Sequence, residues 1–197
     1  MTEQKTETSK DTVIDGIDYG PLAGLMGRWR GSDGMDISPE PDDTEMNPYY
    51  ETITFTPADD VDNAETQELA VVHYHQIVAR KRNDKVFHNE SGYWLWDKAQ
   101  DLVMVSFAIP RGLALVAGGQ SQATAKGMEL HVEAAQDHPD WPISQSPFLR
   151  ERAKTLSFER RMVISDNQIL YQQTTKLDIY GRQFDHTDEN TLHREAD

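Results

Sequence analysis

The sequence predicts an all-β chain of about ten strands, closed into an antiparallel up-and-down β-barrel. Three observations predict it. Runs of alternating apolar and polar residues recur from residue 29 to residue 194, the period of half-buried strands. Turn-forming clusters separate them: Asn83-Asp84, Pro110-Arg111-Gly112 and Asp166-Asn167. No segment between them sustains a helical apolar period. A strand array of this length gains by closing, because closure removes its exposed edges.

The elements follow in order. Residues 1–17 are polar and read as a disordered tail. Residues 18–197 form one barrel domain, opened by a helical turn over 18–26 that covers one barrel end. Gly27-Arg28-Trp29-Arg30-Gly31-Ser32-Asp33-Gly34 starts the first strand, 29–37. Its glycines permit close backbone approach, and Trp29 supplies a large apolar plug for the barrel floor. Residues 38–47 hold Pro39, Pro41 and four acids and read as a loop. Strands follow at 49–56, 68–80, 86–96 and 102–109, with 57–63 as a turn. Another strand, 113–117, is broken by Gly118-Gly119, and 127–134 follows. Residues 136–152 contain three prolines and read as an inserted loop with a short helix at its end. The last strands are 155–164, 169–180 and 190–194.

Composition narrows the function classes. The chain has 197 residues, 37% hydrophobic content and no cysteine, and a mean hydropathy of −0.70. Disulfides and thiolate metal sites are excluded. A formal net charge of −15 opposes nucleic acid and anionic membranes as partners. No apolar run reaches the length of a membrane span, and residues 1–10 show no signal-peptide apolar region. The expected location is cytoplasmic.

Seven histidines carry most of the available chemistry. His73 and His75 share one strand face and read as a solvent-side pair. His131 points outward, and His138 lies in an exposed loop. His88 and Glu90 share a face of the strand 86–96 and suit a hydrogen-bonded pair better than an acid–base couple. His186 has the same parity as Leu192 and Arg194. If the strand is uninterrupted and Leu192 is inward, His186 faces the barrel interior. An inward imidazole at a cavity mouth suits an iron ligand; a histidine hydrogen-bonded within a turn at 185–190 is the alternative. Asp185 and Asp188 belong at the rim, since carboxylates are costly in an apolar cavity.

Three stretches resemble the nitrobindin family, haem-binding β-barrels also found as THAP4-type C-terminal domains. Gly27-Arg28-Trp29-Arg30-Gly31 is similar to the family's Gly-x-Trp-x-Gly-x-Gly signature, with the third glycine one residue late at Gly34. Phe87-His88-Asn89-Glu90-Ser91-Gly92-Tyr93 is similar to its His-x-Glu-x-Gly-aromatic strand. The ending from His186 through Leu192-His193-Arg194 resembles the strand that carries the proximal haem histidine. The resemblance implies a ten-stranded lipocalin-like (calycin) barrel and ferric haem b, with His186 as the metal and cofactor ligand. It further implies nitric oxide binding and, where haem is bound, isomerisation of peroxynitrite to nitrate. Arg182 or Arg111 then has to offset the haem propionates, and 136–152, with Trp141 and Phe148, covers or fills the pocket. Lipocalin-like barrels also set a last-strand basic residue over the first-strand tryptophan, which pairs Arg194 with Trp29. The alternative function is a non-enzymatic carrier of a small apolar ligand on the same barrel. Oligomeric state stays open, a homodimer included.

Overall fold

Period-two patterning carries the architecture. In the computed structural model, which describes residues 12–196, a hairpin of β1 (Val13–Ile14) and β2 (Ile17–Asp18) leads into a 3-10 helix (Gly20–Leu25). The long strands are β3 (Gly27–Pro39), β4 (Thr44–Ala64), β5 (Gln67–Arg80), β6 (Val86–Asp97), β7 (Leu102–Ile109), β8 (Leu113–Thr124) and β9 (Gly127–Ala135). Then come β10 (Ile143–Gln145), helix α1 (Pro147–Arg152), β11 (Ala153–Ile164), β12 (Gln168–Ile179) and β13 (Arg182–Arg194). Every pairing is antiparallel, and the order β8-β7-β6-β5-β4-β3-β13-β12-β11-β9 closes through β8–β9. This is the predicted ten-stranded barrel, with β10 added alongside β8.

Several boundaries differ from the sequence reading, each for a physical reason. The expected tail reaches into the β1–β2 hairpin; its first eleven residues lie outside the described part of the chain. The turn expected at 57–63 is strand, because β4 absorbs its polar residues as register shifts at Pro57/Asp60 and Val61/Ala64. Gly118-Gly119 does not break β8. There the strand exchanges β10 for β9 as its neighbour. A Cβ on Gly119 would collide with the His131 carbonyl, and one on Gly118 with the Trp141 ring. Residues 185–190 are continuous strand, in unbroken register with β12 from His193 to Arg182.

One bulge positions the site. Between Gly31 and Gly34, β3 advances three residues while β4 advances two, from Glu51 to Tyr49. From Gly31 to Met35 it advances four against three of β13, Leu192 to Glu189. The extra residue therefore belongs to β3. It reverses the strand's parity: Trp29 and Gly31 face inward before it, Gly34 and Asp36 after it.

Burial has three layers. The end covered by the 3-10 helix is apolar and holds Tyr19, Leu22, Leu25, Trp29, Trp94, Leu130 and Ile164. Above it lies a polar girdle of Glu51, Gln76, Glu90, Arg160 and Asn190, all buried. The far end opens into a cavity. The 136–152 insertion walls that end: the Gln145 amide bonds both backbone groups of Thr155, at 2.7 and 2.8 Å, bridging β10 to β11. Leu149 of α1 lines the cavity. Trp141 and Phe148 do not: Trp141 covers Gly118, and Phe148 is exposed.

Candidate functional site

The cavity measures about 420 Å³, within the range of small-molecule and cofactor pockets. Its wall is mostly apolar, with Phe87, Phe107, Ile109, Leu115, Phe158 and Leu177 among the lining residues. Polar groups converge from one side: Asp36, His88, Glu90, Gln173, His186 and Asp188. Arg80 and Arg111 also line it. Arg80 stacks on Phe87, 4.2 Å from the ring centre, and bonds Asn47 Oδ1.

His186 comes from β13, whose even-numbered residues face inward. Its Nε2 lies 2.6 Å from Asp36 Oδ1 and 3.8 Å from Asp188 Oδ2. Asp36 is fixed through its other oxygen, which accepts from Asn47 Nδ2 at 2.9 Å and Ser38 Oγ at 3.2 Å. Burial alone would lower the His186 pKa, but the hydrogen bond it donates to Asp36 and the charges of both aspartates raise it. Burial would raise the Asp36 pKa, and the His186 contact outweighs it, leaving the carboxyl acidic. Asp188 is pushed up to about 6, by burial first and by the Asp36 charge second. The rim position expected for Asp188 is therefore wrong: parity turns it into the barrel. Asp185, one residue off that parity, is exposed and sits 3.7 Å from Lys176.

The girdle supports the cavity floor. Arg160 Nη2 donates to Glu90 Oε1 at 2.9 Å and to Gln173 Oε1 at 2.5 Å. Tyr74 Oη donates to the same Glu90 oxygen at 2.5 Å. His88 Nε2 reaches Glu90 Oε2 at 3.4 Å, so the expected His88–Glu90 pair is present within a larger network. The Arg160 guanidinium lies 5.0 to 5.6 Å from the rings of Phe107, Phe158 and Tyr171.

Glu51 gives a pH-dependent expectation. It accepts from Gln76 at 2.7 Å and Asn190 at 3.0 Å, yet full burial pushes its pKa up to about 7. The native state then keeps a proton that the unfolded chain releases near 4.5. Stability falls as pH rises from about 4.5 to 7, by on the order of 3 kcal/mol. Glu51→Gln removes the charge, and Gln76 can flip its amide to pair with the new one. Thermal melts should show the variant equal to the parent near pH 4.5 and more stable at pH 8. An unchanged pH profile would refute the assignment.

Of the five remaining histidines, four are held by hydrogen bonds and His193 is exposed. His73 is half-buried and His75 exposed, and they bond Ser91 and Asn89; His131 bonds Glu159 at the surface. His138 is more than a loop residue: its Nδ1 accepts from the backbone N–H groups of Asp140 and Trp141. Arg182 bonds the carbonyls of Glu40 and Asp43 in the β3–β4 turn, which leaves Arg111 as the cavity cation of the two arginines anticipated. The sequence reading missed Asp36 and Arg160. Arg160 was legible, since it alternates with Phe158, Met162 and Ile164. Asp36 was masked by the bulge.

Comparison with known proteins agrees with this barrel. No curated protein matches the chain. The crystal structure of Rv2717c from M. tuberculosis superposes with a TM-score of 0.67 at 20% identity, over 89% of this chain and 95% of that one, a likeness of fold. Among the described residues no helix is long and apolar enough to cross a membrane. The model of the THAP4-like, heme-binding beta-barrel domain matches residues 18–194, which is nearly the whole barrel, and the chain belongs to that family.

Proposed function

We propose that the cavity binds haem b, with His186 as the axial donor. The observation that carries this is a histidine presented into an apolar, cofactor-sized cavity and held by a carboxylate on one ring nitrogen. Ligating histidines are characteristically held this way, through the nitrogen that does not bind the metal. Asp36 occupies Nε2, and Nδ1 has no hydrogen-bond partner among the described residues. His186 would hold the iron through that nitrogen.

The rest of the lining fits the group. The phenylalanine and leucine wall suits a porphyrin face, and Arg80 and Arg111 suit propionates. Arg111, with no side-chain partner among the described residues, is the freer of the two. Bound haem would supply ligand binding at iron, including nitric oxide, and the isomerisation of peroxynitrite to nitrate. This chain's part is to present one imidazole, keep the wall dry and hold the propionates at the mouth.

Haemin titration of the purified chain tests the reading. A shifted Soret band saturating at one haem per chain is expected. His186→Ala should weaken binding by roughly tenfold or more, and Arg111→Ala should weaken it with an unchanged spectrum. Equal affinity and identical spectra for His186→Ala would refute ligation by that residue. A wild-type chain that leaves the haemin spectrum unchanged would favour a carrier of a small apolar ligand instead. Once haem is bound, nitrate yield from peroxynitrite tests the isomerase activity.

A further inference from the structure

Three side chains lining the cavity have the make-up of a metal-ion site. Asp36, His186 and Asp188 each present one ligand atom, all within 4.8 Å of one another. Two donors on one ion, each about 2.1 Å away, lie at most about 4.2 Å apart. The separations of 2.6 and 3.8 Å from His186 Nε2 to the two carboxylates fall inside that limit.

Charge points the same way. The barrel buries the carboxylates of Asp36, Glu51 and Glu90, with Asp188 half-buried beside them. Arg160 is committed to Glu90. Among the described residues neither Asp36 nor Asp188 forms an ion pair with a lysine or arginine; His186 is their shared cationic partner. Two carboxylates facing one imidazole leave negative charge in a low-dielectric site, where it is costly without a counter-ion. A divalent cation on two carboxylates and a neutral imidazole closes that charge.

The supports are in place as well. Asn47 and Ser38 hold Asp36 from behind, Arg80 holds Asn47, and Gln173 reaches Asp188. Partners of this kind orient metal-binding carboxylates. All three donors line the cavity, so the remaining coordination positions open onto it.

We propose that Asp36, His186 and Asp188 form a site for one first-row divalent transition metal ion, with open positions facing the apolar cavity. One imidazole with two carboxylates suits zinc, cobalt, iron(II) or manganese rather than copper(I), which prefers sulfur, or magnesium, which prefers an all-oxygen octahedron. The site goes beyond the haem reading and uses different atoms. The cation takes the place of the proton between His186 Nε2 and Asp36, whereas haem uses the nitrogen that Asp36 leaves open.

The test is Co²⁺ titration of the full chain, free of haem and stripped with EDTA, followed by visible d–d absorption and calorimetry. Working in about 0.5 M NaCl suppresses adsorption to the acidic surface. One Co²⁺ per chain, displaced by Zn²⁺, is expected. Asp188→Asn keeps the side-chain shape and should weaken binding by at least about 10-fold, since loss of a supporting group alone costs 10–100-fold. The double variant His73→Ala/His75→Ala should bind as the parent does. The proposal is overturned if the parent develops no cobalt spectrum, if Asp188→Asn binds equally well, or if the surface pair proves to be the site. The two readings fail separately: a parent that binds haemin but develops no cobalt spectrum overturns this proposal alone, and one that binds Co²⁺ but leaves the haemin spectrum unshifted overturns the haem reading alone.

Discussion

Replacing Arg160 by methionine is expected to destabilise the barrel by about 3–5 kcal/mol, the cost of stranding a buried charge. Glu90 is 1% exposed and Arg160 2%. Burial would drive the Glu90 carboxyl upward, but the Arg160 charge, followed by His88 and Tyr74, holds it at about 2. The sign follows from that depression. In the parent, Glu90 contributes stability above the unfolded value near 4.5, and the contribution is lost as pH falls toward 2. In Arg160→Met the dominant counter-charge is gone and burial prevails, so the carboxyl titrates high. The variant should then lose stability as pH rises more steeply than the parent, whose Glu90 stays ionised across that range. Adding Glu90→Gln should restore much of the loss, because removing both charges of a buried pair costs far less than removing one. Urea unfolding at pH 4, 6 and 8 reads all three chains. A single variant as stable as the parent, or a double variant no better than the single, would show that the pair is not coupled.

The fold was legible because its determinants are local. Phe158-Glu159-Arg160-Arg161-Met162-Val163-Ile164 alternates, and that alternation assigns each residue to a face. Asp166-Asn167 marks the next turn. Errors fell where local chemistry and tertiary context disagree. The polar stretch 57–63 looks like a turn, yet its backbone pairs with β5 through two register shifts. Gly118-Gly119 looks like a break, yet both glycines are required for close approach by Trp141 and the β9 backbone.

The site was only half legible. Parity alone placed His186 inward, and it holds because β13 runs without interruption along β12. Its partner Asp36 depends on a bulge in another strand. The signal for that bulge was present: Gly34 arrives one residue later than the barrel signature places its third glycine. Read as an inserted residue, the delay turns Asp36 inward and Met35 outward. It also explains the glycine, since a Cβ at Gly34 would strike the Tyr49 ring. What sequence does not supply is the pairing of positions 150 residues apart, which only barrel closure creates.

Trp29→Ala is expected to cost about 3–5 kcal/mol, as for other fully buried aromatic truncations. The ring is wholly buried at the covered end, and Nε1 donates to the Leu25 carbonyl at 2.6 Å, tying β3 to the 3-10 helix. Arg194 lies over the ring, 4.1 Å from its centre. Its guanidinium donates to the carbonyls of Met26, Gly24 and Asp166. First strand, last strand and covering helix therefore meet at one indole. For a domain of this size the loss corresponds to a fall in Tm of roughly 6–20 °C. Arg194→Met should cost less, because it leaves the ring buried and frees carbonyls at an edge that water can reach. A double-mutant cycle should give a coupling of about 0.5–2 kcal/mol for the stacked pair. Haemin and Co²⁺ affinities should not change, because the cavity lies at the other end and none of Trp29, Leu25, Met26 and Arg194 lines it. A Trp29→Ala chain that melts like the parent would mean the barrel closes without this plug.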